Sequence, residues 1–267
     1  MQFQNSPLTD EEKALVFIKV EQLGLRPVLI SETGSMAWGT NTPESDHDFT
    51  VVAHDVDYNY FRWPRDSFSE QMPFGSAICD VRYFSVHKFL RKLARSELVA
   101  YESIYTPHVY FGEESKELRL YRSVIDRCFD PREMYRSVIG SLQSVKHVDP
   151  KKKRRQQFRY MFVGLQLIDY IQTGVKPVVN IEQYRELAAP KPYAPMIEQL
   201  YAWAMEPDQT ELDNELSYGV KTTLMEFTYP KLVDFKQNEH TEFLSYVLGR
   251  LMGKATNWRE QLEDHGE

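Results

Sequence analysis

The sequence predicts an α+β fold: a sheet built early in the chain, flanking helices, and a helical C-terminal region. Three observations carry this. Three apolar runs of strand length, "RPVLISET" (26–33), "HDFTVVAH" (47–54) and "SAICDVRYFS" (76–85), lie within the first 85 residues. The first of them stops at Gly34, a turn former. From about residue 86 the apolar positions recur at helical spacing instead. That change of character divides the chain into an α/β part, residues 1–115, and a helical part, residues 116–267.

The elements follow in order. Residues 9–23 read as a helix. Thr9 with Glu12 three places on forms a capping box. Ala14, Leu15, Phe17, Ile18 and Val20 supply its apolar face, and Gly24 ends it. The strand at 26–33 leads through Gly34 into a short helical stretch. Residues 55–75 are rich in Asp, Tyr, Arg and Pro and read as a loop or lid between the second and third strands. "VHKFLRKLAR" and "ELVAYESIYT" are short amphipathic helices. Asp130-Pro131 and Asp149-Pro150 each pair an N-cap residue with a proline at the first helical position, so helices are expected over 130–148 and 149–174. In the second, Phe158, Met161, Phe162, Leu165 and Ile168 form the apolar stripe, and Gly174 is the stop. Residues 180–267 read as further helices.

Composition bounds the function. The chain has 267 residues, 42% hydrophobic and 27% charged, as in ordinary globular proteins. No apolar run reaches the roughly 18–20 residues that span a bilayer. The first residues show no basic segment followed by an apolar one, so a cytoplasmic location with no membrane partner is expected. Cys79 and Cys128 have neither CxxC spacing nor a histidine cluster, which argues against a zinc site. The net charge of −7 restricts any contact with long nucleic acid to a local basic patch.

The densest chemistry lies in "GSMAWGTNTPESDHD" (34–48). Side chains two apart on a strand share a face, so Asp46 and Asp48 point one way while Phe49 and Val51 point into the core. Two adjacent carboxylates repel unless a cation lies between them. Carboxylate oxygens suit Mg²⁺, which keeps several waters and shares substrate phosphates. Two solvated aspartates at a strand end are the plain alternative. The turn at Gly34 and Ser35 adds backbone amides and a hydroxyl able to hold an anion, usually phosphate. Asp80, a charge within "AICDVRYF", is the candidate third carboxylate of a two-metal phosphoryl-transfer centre. Its plain alternative is a salt bridge to Arg82.

The stretch "GSMAWGTNTPESDHDFTVV" resembles the signature of the nucleotidyltransferase superfamily related to DNA polymerase beta. In particular it is similar to predicted bacterial and phage nucleotidyltransferases with the pattern G-S-x-A-x-G, then S-D-x-D, then an apolar strand. Gly34, Ser35, Ala37, Gly39, Ser45, Asp46, Asp48 and Val51 stand where that pattern asks. "DVRYFSVHKFLRKLARSELVAYESIYTP" and "KKRRQQFRYMFVGLQLIDYIQTGVKP" resemble later blocks, and the likeness covers about residues 28–180. The resemblance implies a nucleotidyltransferase-type mixed sheet with flanking helices. It implies Asp46, Asp48 and Asp80 as catalytic residues holding two Mg²⁺ ions, with Mn²⁺ as an alternative. It also implies transfer of a nucleoside monophosphate from an NTP such as ATP to an acceptor hydroxyl, with release of pyrophosphate. His47, where the pattern varies, is expected on the opposite face with no catalytic role.

Lys151-Lys152-Lys153-Arg154-Arg155 follow directly on a predicted helix start, against the macrodipole by about 0.3–1 kcal/mol each. Lys152, Arg155 and Arg159 share one face. Either an anion sits there, or the run is a solvated charged face. The resemblance favours Lys152, Lys153 and Arg159 as contacts for NTP phosphates, beside Gly34 and Ser35. The acceptor is expected to be an RNA or tRNA end, a protein hydroxyl, or a small molecule. Tyr58, Tyr60, Phe61 and Trp63 offer surfaces for stacking a base. A non-catalytic nucleotide- or partner-binding module on the same fold, of antitoxin type, is the competing reading.

Overall fold

The structure, a computed structural model, describes residues 8, 10–42, 45–55, 67–74, 77–144, 150–191 and 194–205. Thr9, Asp66, Asp149, the four aromatics of the proposed lid and everything past Met205 lie outside the described residues. The described residues form two compact units. Those up to Ala37 and Asn41–Phe129 belong to one, and Trp38–Thr40 with those from Asp130 onward belong to the other. Residues 116–129 thus group with the sheet.

Among its described residues the first unit is built on a five-stranded mixed sheet of order β3-β4-β2-β1-β5. Its strands are β1 (Leu25–Thr33), β2 (His47–Asp55), β3 (Ser67–Phe74), β4 (Ala77–Ser85) and β5 (Val109–Phe111). β2 and β4 run parallel, and the other neighbours are antiparallel. Helix α1 (Asp10–Gln22) covers one face. There Val16 and Val20 pack with Ile30, Phe49, Val51, Val81 and Tyr83. Leu15 and Ile18, expected on the apolar face of α1, are exposed instead. "ALVFI" is apolar around most of the helix, so periodicity alone does not choose the side. The Val16–Val20 stripe, one turn apart, lies on the sheet.

Helices α3 (Val86–Ala94), α4 (Leu98–Tyr105) and α5 (Lys116–Cys128) pack against the sheet strands and one another. Ser85 caps α3 by accepting from the Lys88 amide at 3.1 Å, and Ser115 caps α5 by accepting from Leu118 at 3.0 Å. Leu118, Tyr121, Val124, Ile125 and Cys128 give α5 its buried stripe.

The 55–75 loop expectation needs correction, because residues 67–74 form β3, an edge strand paired along its length with β4. Pro73 disguised it in the sequence. A proline cannot donate to a ladder, yet an edge strand has a side that needs no donor.

The second unit is helical, with α6 (Pro131–Ser144), α7 (Pro150–Thr173), α8 (Ile181–Ala188) and α9 (Ala194–Met205). Asp130, almost fully buried, caps α6. Its Oδ1 accepts the Arg132 amide at 2.8 Å, while the Arg132 guanidinium grips both its oxygens. The Gln166 side chain both donates to and accepts from the main chain of Val178. Asp169 accepts from Tyr184 at 2.9 Å and pairs with Lys191 at 2.6 Å. These bonds fix the segment that follows α7 against it. No described helix is long and apolar enough to cross a membrane.

Phe49 is 1% exposed, and its ring contacts those of His47 and Tyr110. Phe49→Ala is expected to lower unfolding free energy by about 3–5 kcal/mol, read by urea denaturation.

Candidate functional site

One end of the sheet gathers the predicted residues of the first unit. β1 ends there in Thr33, and β2 and β4 begin there. Thr33 lies opposite Asp48, and Asp48 lies opposite Asp80 across the parallel pair. Residues in register on neighbouring strands share a face, so Thr33, Asp48 and Asp80 form one row. The Thr33 hydroxyl donates to the Asp48 carbonyl at 3.2 Å, pinning the start of β2. Asp80 is exposed, and its carboxylate makes no ion pair with Arg82 or another described residue.

Asp46 is exposed and stands one residue before β2, which begins at His47. The alternation argument therefore reached just past the strand's end. Ahead of it the Ser45 hydroxyl accepts the Thr42 amide at 2.8 Å, and the Ser45 amide donates to the Thr42 carbonyl at 2.9 Å. This closed turn delivers the chain to Asp46.

Gly34 opens α2 (Gly34–Trp38) at φ +68°. A Cβ on it would lie 2.0 Å from Asp48 Oδ2. Glycine is thus required twice, for its left-handed backbone and for the space that the Asp48 carboxylate fills. Ser35 follows, largely buried. The Gly34 amide donates to Glu102 Oε1 of α4 at 2.5 Å.

The opposite face carries a second group. Glu32 is fully buried. Its Oε1 accepts from His47 Nδ1 at 2.6 Å, and its Oε2 accepts from the Tyr110 hydroxyl. His47 takes the face that the alternation predicts. Glu70 pairs with Val81 and with Lys19 of α1, at 3.8 Å, so it also belongs to the α1 side. Sequence reasoning passed over Glu32, Glu102 and Tyr110. The rule that singled out Asp80, a charge inside an apolar run, applies equally to "VLISET" and "VAYESIY".

Lys152, Lys153 and Arg159 belong to α7 of the second unit. Arg159 is half-buried, and the side chains of the two lysines lie outside the described residues. Both cysteines are buried thiols. Burial pushes the Cys128 thiol up to about 11, so it stays protonated at neutral pH and is no nucleophile.

Among the described residues no three acidic, histidine or cysteine side chains stand close enough to hold an ion by themselves. The donor set nevertheless fits Mg²⁺. It consists of hard carboxylate oxygens at the exposed end of the sheet, and Mg²⁺ is commonly held by one or two carboxylates completed by water and substrate phosphate.

The family model for RlaP, described as the RNA repair pathway DNA polymerase beta family, matches residues 11–227. Among solved structures, a nucleotidyltransferase-like protein from Exiguobacterium sibiricum 255-15 is similar, at 14% identity. The match covers 91% of this chain and 80% of that one, with a TM-score of 0.34. No curated protein matches the sequence.

Gly34→Ala is expected to cost about 1–2 kcal/mol from the left-handed backbone alone. It must also displace the Asp48 carboxylate. Mn²⁺ affinity, read by water proton relaxation, is therefore expected to fall in protein that is still folded by circular dichroism.

Proposed function

The chain belongs to the RNA repair pathway DNA polymerase beta family, and we propose that it is a nucleotidyltransferase that joins a nucleoside monophosphate to a hydroxyl at an RNA end. The observation that carries this reading is the Gly34 turn pressed against Asp48, which stands in register with Asp80. A glycine-serine turn suited to phosphate and a row of carboxylates suited to a divalent ion thereby meet at one end of one sheet. The RNA acceptor rests on the family's pathway. A protein hydroxyl or a small molecule are outcomes of the same test.

Asp46 and Asp48 would hold two Mg²⁺ ions, with Asp80 a ligand of one. Bound there, Mg²⁺ supplies charge neutralisation for the triphosphate and favours the ionised acceptor hydroxyl. The Ser35 hydroxyl donates to a phosphate oxygen and orients the chain of phosphates. Asp80 receives the proton of the attacking hydroxyl. The acceptor oxygen bonds to the α-phosphorus, the bond to the bridging oxygen breaks, and pyrophosphate leaves. Lys152, Lys153 and Arg159 are assigned to phosphate, of either the NTP or the RNA backbone.

A module that binds nucleotide without transfer is the second reading, favoured by the open arrangement of the carboxylates. Incubation with each labelled NTP and Mg²⁺, with RNA and with cell protein in separate tubes, separates the two. Label appearing in RNA supports the proposal, and no label in any acceptor overturns it.

Asp48→Asn is expected to abolish labelling and weaken MgNTP binding. Asp80→Asn keeps shape and removes charge, so it should bind a non-hydrolysable analogue within about threefold of wild type yet fail to transfer. Calorimetric titration beside the labelling assay reads both. Lys152→Ala and Arg159→Ala should weaken NTP or RNA binding, and unchanged affinity for both returns the basic run to a solvated face.

A further inference from the structure

Glu102 sits in "VAYESIY", where α4 packs on β1. Its residue is 9% exposed, an unusual place for a carboxylate. Its Oε1 accepts the Gly34 amide at 2.5 Å, across 68 residues of sequence. Gly34 is the residue against which the Asp48 carboxylate is packed. Two carboxylates from separate elements thus flank one glycine, Asp48 at its Cα and Glu102 at its amide.

The amide of Gly34 is the first donor after β1 ends. A charge-assisted bond from a buried carboxylate is roughly twice as strong as a neutral one. Such a bond holds the peptide in one orientation. With that amide held, the left-handed turn is fixed, and with it the direction in which Ser35 leaves the strand. α4 supplies the anchor from outside the motif, and its own position is set by the buried Leu98, Ala100, Tyr101 and Ile104 around Glu102.

We propose that Glu102 is a positioning residue for triphosphate: its carboxylate holds the Gly34 amide and so presents Ser35 to the phosphates. This rests on the nucleotidyltransferase reading and names a residue for the substrate side of that site. The opposite role is also chemically definite. A carboxylate on that amide could act as an anionic plug that phosphate must displace, and its removal would then tighten binding. The bond's place at the rigid exit of β1, on a residue packed within a helix, favours the brace.

The test compares wild type with Glu102→Ala, Glu102→Gln and Glu102→Asp. Each is titrated calorimetrically with inorganic tripolyphosphate and with MgATP at a temperature well below its melting point. Gln keeps an acceptor oxygen at the same reach, whereas Asp keeps the charge but withdraws it by one methylene. Affinity for both ligands is expected to fall about tenfold in the Ala and Asp variants and to return to within about threefold of wild type in Gln. In transfer assays KM for NTP should rise while kcat changes little. Unchanged affinity in folded Ala or Asp variants overturns the proposal and leaves a structural bond. Tighter binding overturns it in favour of the plug. Should Glu102→Ala not fold, the Asp and Gln pair decides alone. Wild-type protein that binds neither ligand overturns the nucleotide reading itself, and the proposal with it. Binding that is indifferent to residue 102 overturns the proposal only.

Discussion

Everything at the candidate site depends on one close approach, that of Asp48 to the Cα of Gly34. The carboxylate occupies the volume in which any other residue would carry its Cβ. This contact ties the end of β1 to the beginning of β2, and β2 in turn sets β4 through their parallel ladder. The turn after β1 and the Asp48 carboxylate cannot be this near unless residue 34 has no side chain. The backbone then has to adopt a conformation in which glycine alone is at ease. Sterics and backbone preference thus ask for the same residue at the same place.

Buried charge is the second theme. Glu32 is fully buried on β1, and Glu102 nearly so on α4. An isolated carboxylate in such surroundings is strongly disfavoured, and partners must offset its lost hydration. Glu32 has two donors, one from β2 and one from β5. Glu102 has a backbone amide. Each bond joins elements distant in sequence and has narrow geometric tolerance. An apolar side chain of the same volume would fill either position without specifying how the neighbouring strands are oriented.

The sequence made the strands at 26–33, 47–54 and 76–85 legible because each is a short apolar run bounded by turn residues. The helices from Asp130 and to Gly174 were legible because their caps follow local rules. β3 was not legible, because its proline argued against a ladder. The buried face of α1 escaped for a different reason. With apolar side chains on most sides of that helix, only the sheet beneath it selects Val16 and Val20. At the candidate site, motif spacing pointed to Gly34, Ser35, Asp46 and Asp48, and a charge inside an apolar run pointed to Asp80. The same rule flags Glu102 as a buried charge, but the bonding partners of Glu102 and Tyr110 could not be read from it. Their partners lie 68 and 78 residues away, and nothing local signals such a bond.

The two ends of the strand order carry a consequence for association. An open sheet offers its outermost backbone to any other extended chain, and repeated pairing of that kind leads to aggregation. Here β5 has three residues, too few for a stable foreign ladder. On the other side β3 carries Pro73, which has no amide to give. Among the described residues each edge is therefore blunted, β5 by its shortness and β3 by a proline that removes one donor.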